Sequence, residues 1–267
     1  MADDALVHPD PWQMLRRHTR ARIALGRVGS SLPTREVLDF GVSHALARDA
    51  VHLPLDTEAL QRDIEAVGFE VTQVASRAAD RHTYLLRPDL GRRVAPEDVE
   101  RLRAAAPTPG PDLALVVGDG LSSLAVARQA PPLLAELKAR WPEGWRSGAV
   151  VIARQARVAL ADEVGEALGA RMVAMLIGER PGLTSPDSLG VYLTWAPRVG
   201  CNDAQRNCIS NIRPEGLGHA AAAQKLLWLA REARRLQLTG VALKDESDVP
   251  EIGDTRTGQL GHDCGAT

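Results

Sequence analysis

A carboxylate and a guanidinium that follow a buried strand are the clearest candidate binding groups in this sequence. Residues 172–177 form a short, uninterrupted apolar run, which is typical of a strand buried on both faces. Gly178 ends the run, and Glu179 and Arg180 follow in a turn that contains Pro181. Ligands of open α/β sheets bind just beyond the carboxyl ends of the strands. This turn is therefore a candidate binding site, although the spacing does not indicate the ligand.

Two further stretches could contribute to the same site. Residues 208–216 begin with Cys208, mix apolar and polar side chains, and end in Pro-Glu-Gly, which favours a loop. In residues 118–122 a Gly-Asp-Gly turn follows a predicted strand, and Ser122 can cap the helix after it. Such a junction directs backbone N–H groups at whatever lies above it, a common arrangement for anions. The third glycine of a dinucleotide motif is missing, which excludes a standard nicotinamide site.

No group of residues has the spacing of a known catalytic centre. The sequence lacks a Gly-x-Ser-x-Gly motif, a P-loop and a His-Glu-x-x-His motif. Its 7 histidines are dispersed, and Cys201, Cys208 and Cys264 do not pair with them at zinc-binding spacing. We therefore predict no catalytic residue and no metal ligand in this chain.

The elements that would position these groups alternate between strands and helices. This order favours crossover connections and a parallel sheet. The expected fold class is α/β, with a helical N-terminal region followed by a Rossmann-like, largely parallel sheet flanked by helices. The predicted strands are 69–74, 113–117, 149–153, 172–177, 188–197 and 241–243. The predicted helices beside them comprise one that begins at about Ser123 and three that span 131–140, 162–168 and 221–236.

Three helices are predicted before the sheet. The first spans residues 12–25, and the second begins at Thr34, which could cap it. The third begins at about Asp56 and ends before Gly68. The second and third helices each carry an apolar face at helical spacing. These faces are formed by Leu38, Val42, Ala45 and Leu46 in the second helix and by Leu60, Ile64 and Val67 in the third.

The chain divides into three predicted parts. Residues 1–67 form a helical region, residues 68–245 an α/β domain, and residues 246–267 a polar, mobile tail. The helical region carries arginines that either form a solvated surface or face a partner. The turn at 87–93 either separates secondary-structure elements or docks a subunit. The arginines are at positions 16, 17, 20, 22 and 27.

Composition limits the kinds of partner. Of 267 residues, 45% are hydrophobic and 25% charged, as in an ordinary globular protein. A net charge of -2 and 3% aromatic residues give no reason to expect nucleic acid. No apolar run is long enough to cross a membrane, and the acidic N-terminus lacks a signal-peptide core. Together with the scattered cysteines, these features predict a cytoplasmic protein.

Motifs in one order along nearly the whole chain resemble the small (light) subunit of ethanolamine ammonia-lyase. The resemblance runs from about residue 10 to residue 245, and the number of separate motifs makes it specific. One stretch, residues 154–156, departs from the aromatic-containing segment expected before Arg157. The matching motifs are TRAR (19–22), GR (26–27), RPDLGRR (87–93), DGLS (119–122), RV (157–158), LIGERPGL (176–183), DSL (187–189), APR (196–198) and RNCISNI (206–212).

The resemblance implies a cofactor and a partner. Enzymes of this family use adenosylcobalamin to convert ethanolamine into acetaldehyde and ammonia by a radical route. The large subunit, a TIM barrel, carries the catalytic residues, and the small subunit covers the corrinoid from outside. The family's cobalamin contacts in this subunit fall on Val158, Glu179 and Cys208. The chain lacks the longer N-terminal extension that some relatives use to enter a bacterial microcompartment, so that location stays open.

Each of these residues also has a plainer interpretation. Val158 could be a core residue, Cys208 a buried structural thiol, and Glu179 a turn carboxylate paired with an arginine. Three functions follow: a cobalamin-binding subunit, a purely structural subunit that stabilises the large one, or a free-standing α/β enzyme that binds a nucleotide at residues 118–120. The third would need a catalytic set, and none is visible.

Overall fold

The structure is a computed structural model that describes residues 6–247. It confirms a mixed α/β fold with six strands and seven α-helices among those residues. The helices are α1 (Thr34–His52), α2 (Thr57–Ala66), α3 (Arg81–Leu86), α4 (Pro96–Ala104), α5 (Ser123–Ala139), α6 (Leu160–Ala167) and α7 (His219–Leu236). The strands are β1 (Val71–Ala75), β2 (Leu113–Gly118), β3 (Val150–Arg154), β4 (Met172–Gly178), β5 (Leu189–Trp195) and β6 (Arg206–Ile212).

The six strands form one largely parallel sheet in the order β1-β3-β2-β4-β5-β6. Strands β1, β3, β2 and β4 are parallel to one another. Strand β5 is antiparallel to both β4 and β6. The parallel part is compatible with a Rossmann-like arrangement. Strands β2 and β4 are buried along their whole length, which is why they appear in the sequence as continuous apolar runs.

Helices cover both faces of the sheet and produce two hydrophobic clusters. One cluster joins α2, α5 and α7 to one face, with Leu60 and Ile64 of α2 among its buried members. The other joins α4 and α6 to the opposite face. Because α2 contributes to the first cluster, this predicted N-terminal helix belongs to the core of the sheet.

Several predicted elements differ from the observed ones. Residues 12–25 contain only a 3-10 turn, Gln13–Arg17. Residues 241–243, predicted as a strand, fall instead on the 3-10 turn Gly240–Ala242 and its C-cap Leu243. The helix predicted to begin at about Ser123 and the one predicted for 131–140 are a single helix, α5, which contains Pro131. Thr34 does not cap α1, because the N-cap position is Pro33. Asp56 does cap α2, since its carboxylate accepts the Ala59 N–H at 2.9 Å.

Two of the predicted surface arginines are used within the chain. Arg16 forms an ion pair with Glu36 at 3.0 Å, and Arg22 donates to the Glu36 carbonyl oxygen at 2.6 Å. The two arginines therefore fasten the N-terminal segment to the first turn of α1. In the turn at 87–93, Arg93 binds Glu163 of α6 at 2.8 Å, so this arginine contributes to the fold of the chain itself.

Helix α1 presents its predicted apolar face to solvent. Leu38, Val42 and Leu46 are 64%, 61% and 54% exposed. The helix instead packs through a face that includes Ala50, which is buried. No helix within residues 6–247 is long and apolar enough to span a membrane.

Candidate functional site

A crevice opens where β2 and β4 end. In the sheet, β3 lies on one side of β2 and β4 lies on the other. After β2 the chain continues to β3, whereas after β4 it continues to β5 in the opposite direction, so the strand order reverses between β2 and β4. Such switch points are where open α/β sheets bind ligands. The crevice has a volume of about 410 Å³, and Val158, Glu179 and Tyr192 are among the residues that line it.

The floor of the crevice depends on two glycines. Gly120 has a φ of +55°, and a Cβ there would collide with the carbonyl oxygen of Gly178. A Cβ at Gly178 would in turn collide with the carbonyl oxygen of Ser122. The turn after β2 and the end of β4 therefore touch backbone to backbone.

The helix N-terminus above this floor is occupied by groups of the chain itself. Ser122 caps α5 as predicted, because its hydroxyl oxygen accepts the Ala125 N–H at 3.1 Å. The same hydroxyl donates to the carbonyl oxygen of Pro186 at 2.7 Å. The Leu121 N–H donates to the carbonyl oxygen of Gly178 at 3.0 Å. This use of the donors weakens the interpretation of residues 118–120 as a nucleotide phosphate site.

Asp119 positions the loop that carries Val158. Its buried carboxylate accepts N–H groups from Gln155 at 3.0 Å and Ala156 at 2.9 Å. It also pairs with Arg81 at 3.2 Å. Burial raises the pKa of Asp119, while Arg81 and the N–H groups act in the opposite direction. The glycines of this turn are visible in the sequence, whereas the role of the carboxylate depends on contacts with residues 155 and 156.

Tyr84 forms an aromatic platform beside the loop. The guanidinium groups of Arg81 and Arg157 stack on its ring at 4.7 and 4.3 Å from the ring centroid. The Tyr84 hydroxyl donates to the carbonyl oxygen of Ala156 at 3.1 Å. Burial raises the pKa of Tyr84 to about 12, against the opposing effect of Arg157. The hydroxyl therefore remains a neutral donor at physiological pH.

Glu179 is held by hydrogen bonds and not by an arginine. The Ser188 hydroxyl donates to its Oε2, and the Asn211 N–H reaches the same oxygen at 3.3 Å. Gly190 lies so close that a Cβ there would be 3.0 Å from Oε1 of Glu179. Oε1 has no hydrogen-bond donor among residues 6–247, and Glu179 has no ion pair there. One carboxylate oxygen therefore remains available to a ligand.

Cys208 lies on strand β6, directly opposite Tyr192 of β5. The prediction of a loop at this position was wrong, because residues 206–212 form the edge strand. Cys208 is exposed, unlike a buried structural thiol. Local packing raises the pKa of its thiol, and the hydrogen bond with Tyr192 opposes that shift. Burial also raises the pKa of Tyr192, and Cys208 and Glu179 add to this effect.

The structure brings the three predicted contacts to one region. Val158 and Glu179 line the same crevice, and Val158 also packs against the core. Cys208 reaches the crevice through Tyr192, a residue outside the predicted site. The available signal was the alternation in β5, which places Tyr192 on the face opposite Val191. No cluster of three or more potential metal ligands occurs within residues 6–247.

The chain is an α/β protein with a crevice at the carboxyl edge of an open sheet, the place where proteins of this class bind ligands. Comparisons with known proteins then give the family: residues 9–244 match the sequence model of the ethanolamine ammonia-lyase light chain (EutC). The chain belongs to this family. It is 57% identical to the ethanolamine ammonia-lyase small subunit of Azotobacter vinelandii over 97% of each chain. It is 59% identical to that of Ralstonia nicotianae over 92% of each chain.

Proposed function

We propose that this chain is the small subunit of an adenosylcobalamin-dependent ethanolamine ammonia-lyase, and that it helps to hold the corrinoid against the large, catalytic subunit. The complex is a carbon–nitrogen lyase that converts ethanolamine into acetaldehyde and ammonia. Family membership supports the subunit role, and the open crevice at the switch point is the observation that carries the cofactor role. We expect the complex to be cytoplasmic.

The residues of the crevice suit a corrinoid. Peripheral amides of the corrin ring need hydrogen-bond acceptors, and Oε1 of Glu179 is an acceptor with no donor among the described residues. The half-buried Val158 offers an apolar contact to the ring or its benzimidazole, and the Tyr192 hydroxyl adds a neutral polar group. Cys208, on the exposed edge strand, can present backbone groups at close range.

The size of the crevice indicates a shared site. A volume of about 410 Å³ is far too small to enclose a cobalamin molecule. The chain can therefore cover one side of the cofactor only, and the large subunit must cover the rest. Adenosylcobalamin supplies the radical chemistry when it is bound, whereas this chain binds, orients and shields it.

The N-terminal region supplies the surface for the partner. Leu38, Val42 and Leu46 form an exposed apolar stripe on α1, and stripes of this kind mark protein contacts. We propose residues 1–67 as the docking region and residues 68–245 as the cobalamin-binding domain, although α2 also packs into the core of the latter. The polar tail predicted at 246–267 lies, except for its first two residues, outside the described residues.

Glu179→Ala tests the cofactor role in the two-subunit complex. We expect adenosylcobalamin to bind about 10- to 100-fold more weakly, because a charged hydrogen bond contributes roughly 1.5–3 kcal/mol. Equilibrium dialysis measures the affinity, ammonia release measures the activity, and sedimentation verifies assembly. Glu143→Gln is the matched control, since Glu143 is an exposed residue in the turn before β3, at the opposite edge of the sheet.

The alternatives predict different results. Unchanged cofactor affinity in Glu179→Ala, with the complex intact, would indicate a purely structural subunit. A large subunit that is fully active alone, or a chain that does not associate with it, would favour the free-standing nucleotide-binding enzyme.

A further inference from the structure

A second cavity, which we call the basic recess, lies between α1 and the crevice. Its volume is about 400 Å³, and its lining includes His44 and Arg48 of α1 together with Arg157 and Arg180. Arg157, Arg180 and Leu121 also line the crevice. The two cavities are therefore contiguous, and a ligand in the crevice could extend into the basic recess.

In the part of the chain that the structure describes, no acidic side chain lines the basic recess. Among residues 6–247, Arg48, Arg157 and Arg180 have no acidic partner within ion-pair distance. The nearby carboxylate of Asp119 is committed to Arg81 and two backbone N–H groups. Within residues 6–247, Glu179 is the one acidic residue that lines either cavity, and it lines the crevice but not the recess. The recess thus concentrates uncompensated positive charge.

Arg157 adds an independent observation. Its Nε is buried and has no hydrogen-bond partner in the described part of the chain. The guanidinium is fixed in place, because it stacks on Tyr84 and donates to the Tyr84 carbonyl oxygen at 3.3 Å. A buried donor without an acceptor destabilises the folded chain, and an anionic ligand nearby would offset this cost. Arginine is also the side chain best suited to bidentate binding of phosphate.

We propose that the basic recess binds the phosphodiester of the cobalamin nucleotide loop, an inference that rests on the proposed cofactor role. The corrin side chains end in neutral amides, so the phosphodiester is the anionic group at the periphery of the cofactor. Val158, a proposed corrinoid contact, is adjacent in sequence to Arg157, so the recess begins where the corrinoid contacts end. Helix α1 therefore has two roles: its apolar stripe faces the partner, and His44 and Arg48 face the cofactor.

The test compares two corrinoids on the intact two-subunit complex. Adenosylcobinamide lacks the nucleotide loop and its phosphodiester, whereas adenosylcobalamin contains both. We expect Arg48→Gln, at a residue that lines the recess and not the crevice, to weaken adenosylcobalamin binding about 10- to 100-fold, as for loss of a charged hydrogen bond. Binding of adenosylcobinamide should change less than about twofold. Arg62→Gln on α2, an exposed arginine outside the recess, is the control.

Each other outcome overturns the inference. Equal weakening of both corrinoids would mean that Arg48 acts on folding or on the crevice. No weakening of either would mean that the recess does not hold the phosphodiester. Loss of subunit assembly in Arg48→Gln would mean that an acidic group of the large subunit occupies the recess. If the unsubstituted complex binds neither corrinoid, the proposed function itself fails, which is a distinguishable result.

Discussion

Polar substitution of the exposed stripe on α1 should separate the stability of this chain from its assembly. The double variant Leu38→Gln, Leu46→Gln removes two apolar side chains that are 64% and 54% exposed in the isolated chain. Glutamine has a helix propensity close to that of leucine, so α1 should persist. Substitutions at exposed positions usually change the free energy of unfolding by less than about 0.5 kcal/mol each.

The loss should appear in the affinity for the large subunit. Complete burial of a leucine side chain contributes about 1.5–3 kcal/mol. With slightly more than half of each side chain left to bury, the two leucines together contribute about 2–4 kcal/mol to docking. At 1.4 kcal/mol per tenfold change, the dissociation constant should rise about 30- to 700-fold.

Two measurements test this prediction. Sedimentation velocity with the purified large subunit gives the affinity, and thermal unfolding of the isolated chain gives its stability. Val241→Gln is the control, because Val241 is 83% exposed but lies in a 3-10 turn remote in sequence from α1. If the double variant unfolds at a much lower temperature, the stripe packs within the chain. If its affinity equals that of the control, the large subunit docks elsewhere.

Three further substitutions test the internal structure, with the free energy of unfolding as the measurement. Burial raises the pKa of Glu163, but its hydrogen bond with Arg93 acts in the opposite direction and the pKa is lowered overall. Stability that is present above about pH 5 should therefore be lost in acid. Glu163→Gln should flatten this pH dependence of the free energy of unfolding. Gly120→Ala should cost about 2–4 kcal/mol, because the left-handed backbone and the nearby carbonyl oxygen leave no room for a methyl group. Arg206→Met should cost about 3–5 kcal/mol, because it leaves the buried Asp162 without its counter-charge.

The opposite outcomes are equally specific. An unchanged pH profile in Glu163→Gln would show that its carboxylate has the same pKa in the folded and unfolded chain. A Gly120→Ala variant as stable as the unsubstituted chain would mean that the backbone contact beneath the crevice relaxes easily. A neutral Arg206→Met would mean that Asp162 becomes protonated at little cost.

Continuous burial explains which parts of the fold were predictable. Strands β2, β3 and β4 lie within the sheet between two helical layers, so nearly all their residues are apolar. The cap at Ser122 was predictable because the hydroxyl acts on a neighbouring N–H group. Both signals are local, and neither depends on distant parts of the chain.

The failures lie where long-range contacts or a partner decide the structure. Residues 12–25 carry a helix-compatible pattern, but Arg16 and Arg22 bind Glu36 and the segment forms only one 3-10 turn. The α1 stripe has the spacing of a core-facing helix, yet it faces solvent. Tyr192 and Asp119 gain their site roles from cross-strand and cross-loop contacts that no local spacing reveals.

Docking and cofactor binding are expected to be coupled through Arg81. Its Nε donates to the Val51 carbonyl oxygen at 2.7 Å, near the end of α1, while its Nη1 pairs with Asp119 at 3.2 Å. Asp119 in turn holds the loop that carries Val158. A second link is the Ser123 hydroxyl, which donates to the Leu53 carbonyl oxygen just beyond α1 at 2.7 Å. A shift of α1 on docking would therefore move groups that line the crevice. By thermodynamic reciprocity, bound cobalamin should strengthen the association of the subunits by the same factor by which the large subunit strengthens cobalamin binding.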